Sequence, residues 1–335
     1  MGGQGPASAV ADAGTVPLGP ARIGLVALDI DGTLIDSPRS DRIAPAVVDA
    51  VRRVREAGVP VVLVSGRTHA MMTPYRDVLA AEPVLGSANG AVVRDDHDIL
   101  RRATLPADAI AWAVRIAERF DLDVMFYGVD DLSVFPVAGH LHEPGSTPEA
   151  RWTRVGARLI ADPVRELAGT SVVKLVFIAA DEIAAERITV RVRRELPSWA
   201  GTSELARSSG GAFGLEAPGA DKGSALALIA EGYGVPLDRI LAIGDHENDL
   251  PMLRVVGHPV AMGNSPPQVR ALTHFTTASV TEDGVALALR RHLPWAFTDE
   301  PDDPTASPAP PDGEPPGPEA EGKRHDQHIP HRDLR

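Results

Sequence analysis

Cysteine is absent from the 335 residues, which excludes disulfides, thiolate nucleophiles and Cys-ligated zinc. Lysine is nearly absent: only Lys174, Lys222 and Lys323 occur, against a background of arginine. Aromatics make up 4% of the chain, and a formal net charge of −13 with a pI near 5.3 leaves no basic excess. Such a balance argues against nucleic-acid binding, which needs a basic stripe to displace counterions. No run approaches the roughly 18 apolar residues of a spanning helix. The opening "MGGQGPASAVADAGTVPLGP" has neither a basic n-region nor an apolar h-region, so no signal peptide is expected. What remains, 44% hydrophobic residues at a mean hydropathy of −0.05, reads as a soluble, cytoplasmic protein without membrane or nucleic-acid partners, large enough for two domains. Oligomeric state leaves no trace in the sequence.

Residues 1–20 are Gly-, Ala- and Pro-rich without periodicity, and residues 298–335 form a Pro-rich, acidic tail. Both are expected to be disordered, and no fixed metal site is expected from His325, His328 and His331 in that tail. Between them, the chain alternates buried-strand and helix patterns at both ends of its length. "PAVVDAVRRVREAG" sets Val47, Val51 and Val54 on one helical face with Gly58 as its stop. "VPVVLVSGR" and "RILAIGD" are apolar runs suited to strands covered on both faces. "KGSALALIAEGYG" and "ENDLPMLRVVG" read as helices. This rhythm predicts an α/β, doubly wound parallel-sheet core over 21–90 and 219–297, with its site at the carboxyl ends of the strands. The middle, 91–218, reads differently: helices near 107–120, 162–167 and 182–195, and strands in "DVMFYG", "LSVFPVA", "SVVKLVFIAA", "ELARSS" and "FGLEAP". That order predicts an inserted α+β domain with its own antiparallel sheet, in which Trp112 serves the core.

Four short stretches carry chemistry. "DIDGT" ends the first buried strand with Asp29 and Asp31, whose two-residue spacing puts both side chains on one side of an extended chain. Alone it is weak, since acidic residues before glycine are common in turns. Ser65 ends the second buried strand, Lys222 opens a helix in "DKGS", and "GDHEND" places Asp245, Asn248 and Asp249 after a third. In a parallel sheet these strand ends share one edge. Clustered carboxylates repel and favour protonation; a divalent cation reverses this, and an all-oxygen set selects Mg²⁺. A hydroxyl from Ser65 and a point charge from Lys222 suit phosphoryl oxygens. The combination is a phosphoryl-transfer site. The rarity of lysine points the same way, because a merely solvated charge here would more commonly be arginine.

With these residues in view, the chain resembles the haloacid dehalogenase (HAD) superfamily of phosphatases, in the Cof-type branch with a large class IIB cap. The resemblance spans roughly residues 21–297 and carries "DIDGT", "VSGR", "DKG" and "GDHENDLPML" in order, joined by "SANGAVV", "AMGNSPPQV" and "EDGVALAL". It implies a Rossmann-like core with an inserted cap that sets selectivity. It also implies a Mg²⁺-dependent phosphoric monoester hydrolase acting on a small phosphorylated metabolite, a sugar phosphate or a cofactor phosphate. By that resemblance Asp29 is the nucleophile that becomes an aspartyl-phosphate and Asp31 the general acid/base. Asp29, Asp245 and the Asp31 main-chain carbonyl hold Mg²⁺, Ser65 and Lys222 hold the phosphoryl group, and Asn248 and Asp249 support them. Two alternatives stand beside it: a phosphomutase or phosphotransferase on the same core, and a D-x-D glycosyltransferase, which leaves "GDHEND" and Lys222 unexplained.

Overall fold

The structure is a computed structural model and describes residues 22–298 except 38, 140–155, 201–204 and 208–210; the two terminal segments expected to be disordered lie outside the described residues. Among the described residues fourteen strands are formed: β1 (Leu25–Leu28), β2 (Val61–Val64), β3 (Leu85–Ser87), β4 (Val92–Arg94), β5 (Ile99–Arg102), β6 (Asp123–Tyr127), β7 (Leu132–Phe135), β8 (Ala157–Leu159), β9 (Lys174–Ile178), β10 (Ala206–Arg207), β11 (Ala212–Glu216), β12 (Ile240–Gly244), β13 (His258–Ala261) and β14 (Phe275–Thr276).

Eight of them make one sheet in the order β14-β13-β12-β1-β2-β3-β4-β5. From β14 to β3 every pair is parallel. The sequences LVAL, VVLV and ILAIG of β1, β2 and β12 are buried at every position, as a strand covered by helices on both faces requires. Alternation then sorts the side chains. Val26, Leu28, Val61 and Leu63 join the helices Pro45–Glu56 and Gly284–His292 in one apolar cluster. Leu25, Ala27, Val62 and Val64 join Lys222–Gly232 and Leu250–Val255 on the other face. Each fully buried Val or Leu contributes about 1.5–3 kcal/mol. From β1 the chain builds outward through β2 and β3 on one side and, later, through β12, β13 and β14 on the other. The β1–β12 boundary is therefore the topological switch point, where a doubly wound sheet opens its crevice. Register sets Leu28 beside Ile243 and beside Leu63, so the residues following β1, β2 and β12 emerge together.

The helix Pro45–Glu56 buries Val47, Val51 and Val54 and stops as the sequence predicts, with Gly58 at φ +82°. Among the described residues three helices escape the sequence pattern: His69–Leu79, whose interior Pro74 reads as a breaker, the single turn Pro267–Arg270 and Gly284–His292. The boundary placed at residue 91 falls before the chain leaves the first sheet. β4 and β5 pair antiparallel onto β3 as a hairpin extension, because the glycine and left-handed residues of "ANG" reverse the chain at Ala88–Gly90.

A second, six-stranded sheet has the order β10-β11-β9-β6-β7-β8. It is antiparallel as expected except that β7 and β8 run parallel. One face packs on the helices Asp108–Phe120 and Glu182–Arg193. There Trp112 is buried edge-on to Phe177 and donates its Nε1–H to Glu195 O at 3.2 Å. The other face meets Ala88 and Ala91 of the turn between β3 and β4, and Val92 of β4. Among the described residues no helix is long and apolar enough to cross a membrane.

Candidate active site

β1 ends at Leu28 and delivers Asp29, 4% exposed, into the crevice. The extended chain stops there, so the alternation that put Asp29 and Asp31 on one side does not persist, and the two carboxyls take different partners. The turn Ile30–Ile35 closes by hydrogen bonds from Leu34 and Ile35 N–H to Ile30 O and from Gly32 N–H to Ile35 O. Gly32 is required twice over: its φ is +81°, and a Cβ would overlap the Asp245 carboxylate.

Lys222, the first residue of its helix and fully buried, donates to Asp29 Oδ1 at 2.7 Å and to Asp249 Oδ1 at 2.5 Å. Its helix is capped by Asp221, which accepts the Ser224 N–H at 2.8 Å, fixing the lysine's point of departure. Asp249 uses its other oxygen to accept the N–H groups of Asp245 and His246, both at 2.9 Å, which orients the loop after β12. Asp245 Oδ1 accepts from Thr33 Oγ1 at 3.2 Å and its Oδ2 from Asn264 Nδ2 at 3.4 Å. Ser65 is buried at the end of β2, anchored by its N–H to Gly86 O at 2.8 Å. Asn248 turns elsewhere: its Nδ2 donates to Asn89 Oδ1 at 3.1 Å.

Asp31 sits at the rim with its side chain 40% exposed and is gripped in bidentate fashion by Arg67, Nη2 to Oδ1 at 2.6 Å and Nε to Oδ2 at 2.8 Å. Nothing in the sequence marks Arg67, the last residue of "VSGR", for this pairing. Arginine is the chain's ordinary base, so composition gave it no mark, and the 36-residue separation hides the pair. Thr33, Asn89 and Asn264, inside "DIDGT", "SANGAVV" and "AMGNSPPQV", are likewise unmarked by the sequence for the contacts they make.

The electrostatics divide these groups. Burial, then the charges of Asp249, Asp245 and Asp31, push the Asp29 carboxyl well above the ordinary range, against the pull of Lys222. Burial and then Asp249 raise Asp245 to about 7. Burial works against the Lys222 ammonium, but Asp249 and Asp29 more than restore it. For Asp31 burial is outweighed by the Arg67 hydrogen bond and charge, and the carboxyl falls below its usual range.

Carboxylate oxygens of Asp29, Asp245 and Asp249 lie within 4.8 Å of one another and all three residues are buried. One ammonium among three buried carboxylates leaves negative charge in excess, the condition that a hard cation with oxygen ligands relieves. The residues therefore fit a divalent metal.

A doubly wound sheet whose switch point gathers a buried aspartate, a lysine and further carboxylates defines an α/β enzyme of the phosphoryl-transfer kind. Comparison with known proteins makes this specific. The profile of the haloacid dehalogenase-like hydrolases matches residues 26–289, and the chain belongs to that family, in its Cof-type branch. It is 29% identical over 271 residues to a putative phosphatase of Haemophilus influenzae, covering 79% of this chain and 97% of the relative. It is 27% identical over 282 residues to the pyridoxal phosphate phosphatase YbhA of Escherichia coli, covering 80% and 98%. Among solved structures it is similar to a haloacid dehalogenase-like hydrolase from Bacteroides thetaiotaomicron, with 25% identity, a TM-score of 0.68, and 81% and 99% of the two chains covered. A hydrolase family leaves the glycosyltransferase reading without support.

Proposed function

We propose that this chain is a Mg²⁺-dependent phosphatase of small phosphomonoesters, sugar or cofactor phosphates, working through an aspartyl-phosphate at Asp29. The observation that carries the reading is the Lys222 ammonium 2.7 Å from the buried Asp29 oxygen, inside the Asp29–Asp245–Asp249 cluster. Phosphatase names among the relatives support it, including the pyridoxal phosphate phosphatase and a 5-amino-6-(5-phospho-D-ribitylamino)uracil phosphatase of Bacillus subtilis, 29% identical.

Asp29 and Asp245 carboxylates with the Asp31 main-chain carbonyl would hold the metal, and Asp249 positions Lys222. When bound, Mg²⁺ neutralises phosphoryl charge that carboxylates would otherwise repel. Lys222 and the Ser65 hydroxyl hold the phosphoryl oxygens. An Asp29 oxygen forms the bond to phosphorus as the ester bond breaks, and the departing oxygen takes a proton from Asp31. A water then attacks phosphorus, gives a proton to Asp31 and releases Asp29. The Arg67 pairing keeps Asp31 ionised, which suits it as the base of the second step; acting as the acid in the first requires the guanidinium to give way. The insert, taken from about residue 103 to 218 once β4 and β5 are assigned to the first sheet, closes over the leaving group and sets selectivity.

Purified protein assayed against a panel of phosphomonoesters should turn over with Mg²⁺, stop with EDTA and recover on Mg²⁺ addition. Full turnover under thorough chelation would remove the metal from the mechanism, and no turnover of any ester with Mg²⁺ would remove the phosphatase reading.

A further inference from the structure

The six-stranded sheet carries a row of polar side chains that the catalytic set does not use. Tyr127 is the last residue of β6, Lys174 the first of β9 and Glu216 the last of β11. In register Tyr127 lies opposite Lys174, and Lys174 opposite Glu216. Residues directly opposite in antiparallel strands project from the same face, so a phenol, an ammonium and a carboxylate stand side by side at one end of the sheet. Their neighbours Phe126, Leu175 and Leu215 are buried with the helices on the opposite face.

The row faces the catalytic edge. Glu216 Oε1 accepts from Asn89 Nδ2 at 2.8 Å, and Asn89 Oδ1 accepts from Asn248 of the "GDHEND" loop. A Cβ on Gly66, next to Ser65, would stand 3.0 Å from Asn89 Oδ1 and 3.5 Å from Lys174 Nζ. The glycine thus lets a cation from the insert approach the backbone beside the phosphoryl-holding serine. Glu216 lines, with Asn89, Lys222 and Asn248, a cavity of about 430 Å³.

Holding the sheets together accounts for the Tyr127 ring, which packs in the cluster with Ala88, Ala91 and Val92, but not for the ammonium and carboxylate beside it. Lys174 is 7% exposed and its ammonium lies 3.6 Å from Glu216 and 5.2 Å above the Tyr127 ring. That distance to its carboxylate exceeds a good hydrogen bond. A strut would use apolar contacts or a closely paired ion, because a buried charge without hydrogen bonds is costly. An ammonium held that loosely by its carboxylate, beside a phosphoryl site, is placed to donate to a ligand's oxygens as well.

We propose that Tyr127, Lys174 and Glu216 form the leaving-group subsite and select esters whose leaving group is a neutral hydroxylated chain, as in polyol and sugar phosphates. Lys174 donates to one hydroxyl oxygen, Glu216 accepts from the next, and the Tyr127 phenol closes the row. The pair sums to zero charge, so it offers a leaving group bearing its own carboxylate no net attraction, while each of its members is matched to a neutral hydroxyl. This assignment rests on the phosphatase reading.

The test uses three esters with Mg²⁺: ribitol phosphate, phosphoglycolate and p-nitrophenyl phosphate, the last with neither hydroxyl chain nor carboxylate. Wild type should favour ribitol phosphate over phosphoglycolate in kcat/KM. In Glu216→Gln, which keeps an oxygen for Asn89, the ratio of kcat/KM for ribitol phosphate to that for p-nitrophenyl phosphate should fall about ten- to a hundredfold, the worth of one charge-assisted hydrogen bond. The preference over phosphoglycolate should narrow at the same time. Tyr127→Phe, one oxygen smaller, should lower the first ratio less and supplies the comparison should Glu216→Gln fail to fold. A ratio unchanged in both variants would overturn the subsite even if absolute rates drop, since a structural role lowers all esters together. Wild type inactive on every ester would instead sink the phosphatase reading beneath it.

Discussion

Lys222 at the edge of the eight-stranded sheet and Lys174 on the face of the six-stranded one are both withdrawn from water, yet they end with opposite basicities. Burial opposes the charge of each. Lys222 has carboxylates at 2.7 and 2.5 Å and is held well above its ordinary range. Lys174 has one carboxylate at 3.6 Å and is pulled below it, with Lys222 itself adding to the depression. The number and closeness of counter-charges, not the depth of burial, decides the outcome. The first arrangement pairs its ammonium closely with two carboxylates; the second leaves its ammonium loosely paired with one.

The two regions should therefore fail differently. In the proposed mechanism Asp29→Asn removes the nucleophilic carboxylate, and loss of turnover should be on the order of 10⁴-fold or more for every ester. No phosphoryl adduct should then appear by mass spectrometry. Asp31→Asn should lose about 10² to 10⁴-fold, and less for p-nitrophenyl phosphate, whose leaving group departs with less need of a proton. An Asp29→Asn protein that kept wild-type turnover, or an adduct located on Asp31, would erase the distinction between a catalytic edge and a selective face.

How much of this stood in the sequence varied with distance along the chain. β1, β2 and β12 were legible because strands buried on both faces carry unbroken apolar runs, and the positions of Asp29, Ser65, Lys222 and Asp245 at strand ends or a helix start because they follow such runs or open a helix. The partners were not legible. Arg67 reaches Asp31 across 36 residues and Asn89 reaches Glu216 across 127, contacts that packing alone creates. The β4–β5 hairpin was lost because "VVRDDHDILRR" mixes apolar and charged residues at an exposed edge, where Ile99 and Leu100 remain about half exposed. Lys174 was marked by the same scarcity of lysine that singled out Lys222. Its meaning needed the cross-strand register that places it between Tyr127 and Glu216.

Stability measurements sharpen the contrast between the lysines. In EDTA, Lys222→Met leaves Asp29, Asp245 and Asp249 without their ammonium and should cost about 3–5 kcal/mol, the penalty for an uncompensated buried charge. Lys174→Met exchanges a loosely paired ammonium for an apolar chain of similar length and should change stability by no more than about 1 kcal/mol. Urea denaturation of both variants under chelation reads the difference directly, and equal losses would mean that Lys174 is as tightly compensated as Lys222.

The smallest effect is a pH dependence whose sign separates the two sites. Because the Lys174 pKa is lowered on folding, chiefly by burial, the unfolded chain binds more protons between that lowered value and the ordinary lysine value of about 10.4. Stability attributable to this residue must rise with pH across that window. Lys222 is displaced the other way; its contribution is already complete below the unfolded value and is lost only as pH climbs through the raised one. Wild type should therefore gain on Lys174→Met as the pH is taken from 7 toward 10, without loss of its margin over Lys222→Met, whose unpaired Asp29 and Asp245 only ionise further across that range. Denaturation midpoints collected across that range in EDTA decide it, and a wild-type margin over Lys174→Met that shrinks as pH rises would reverse the order of the two lysines.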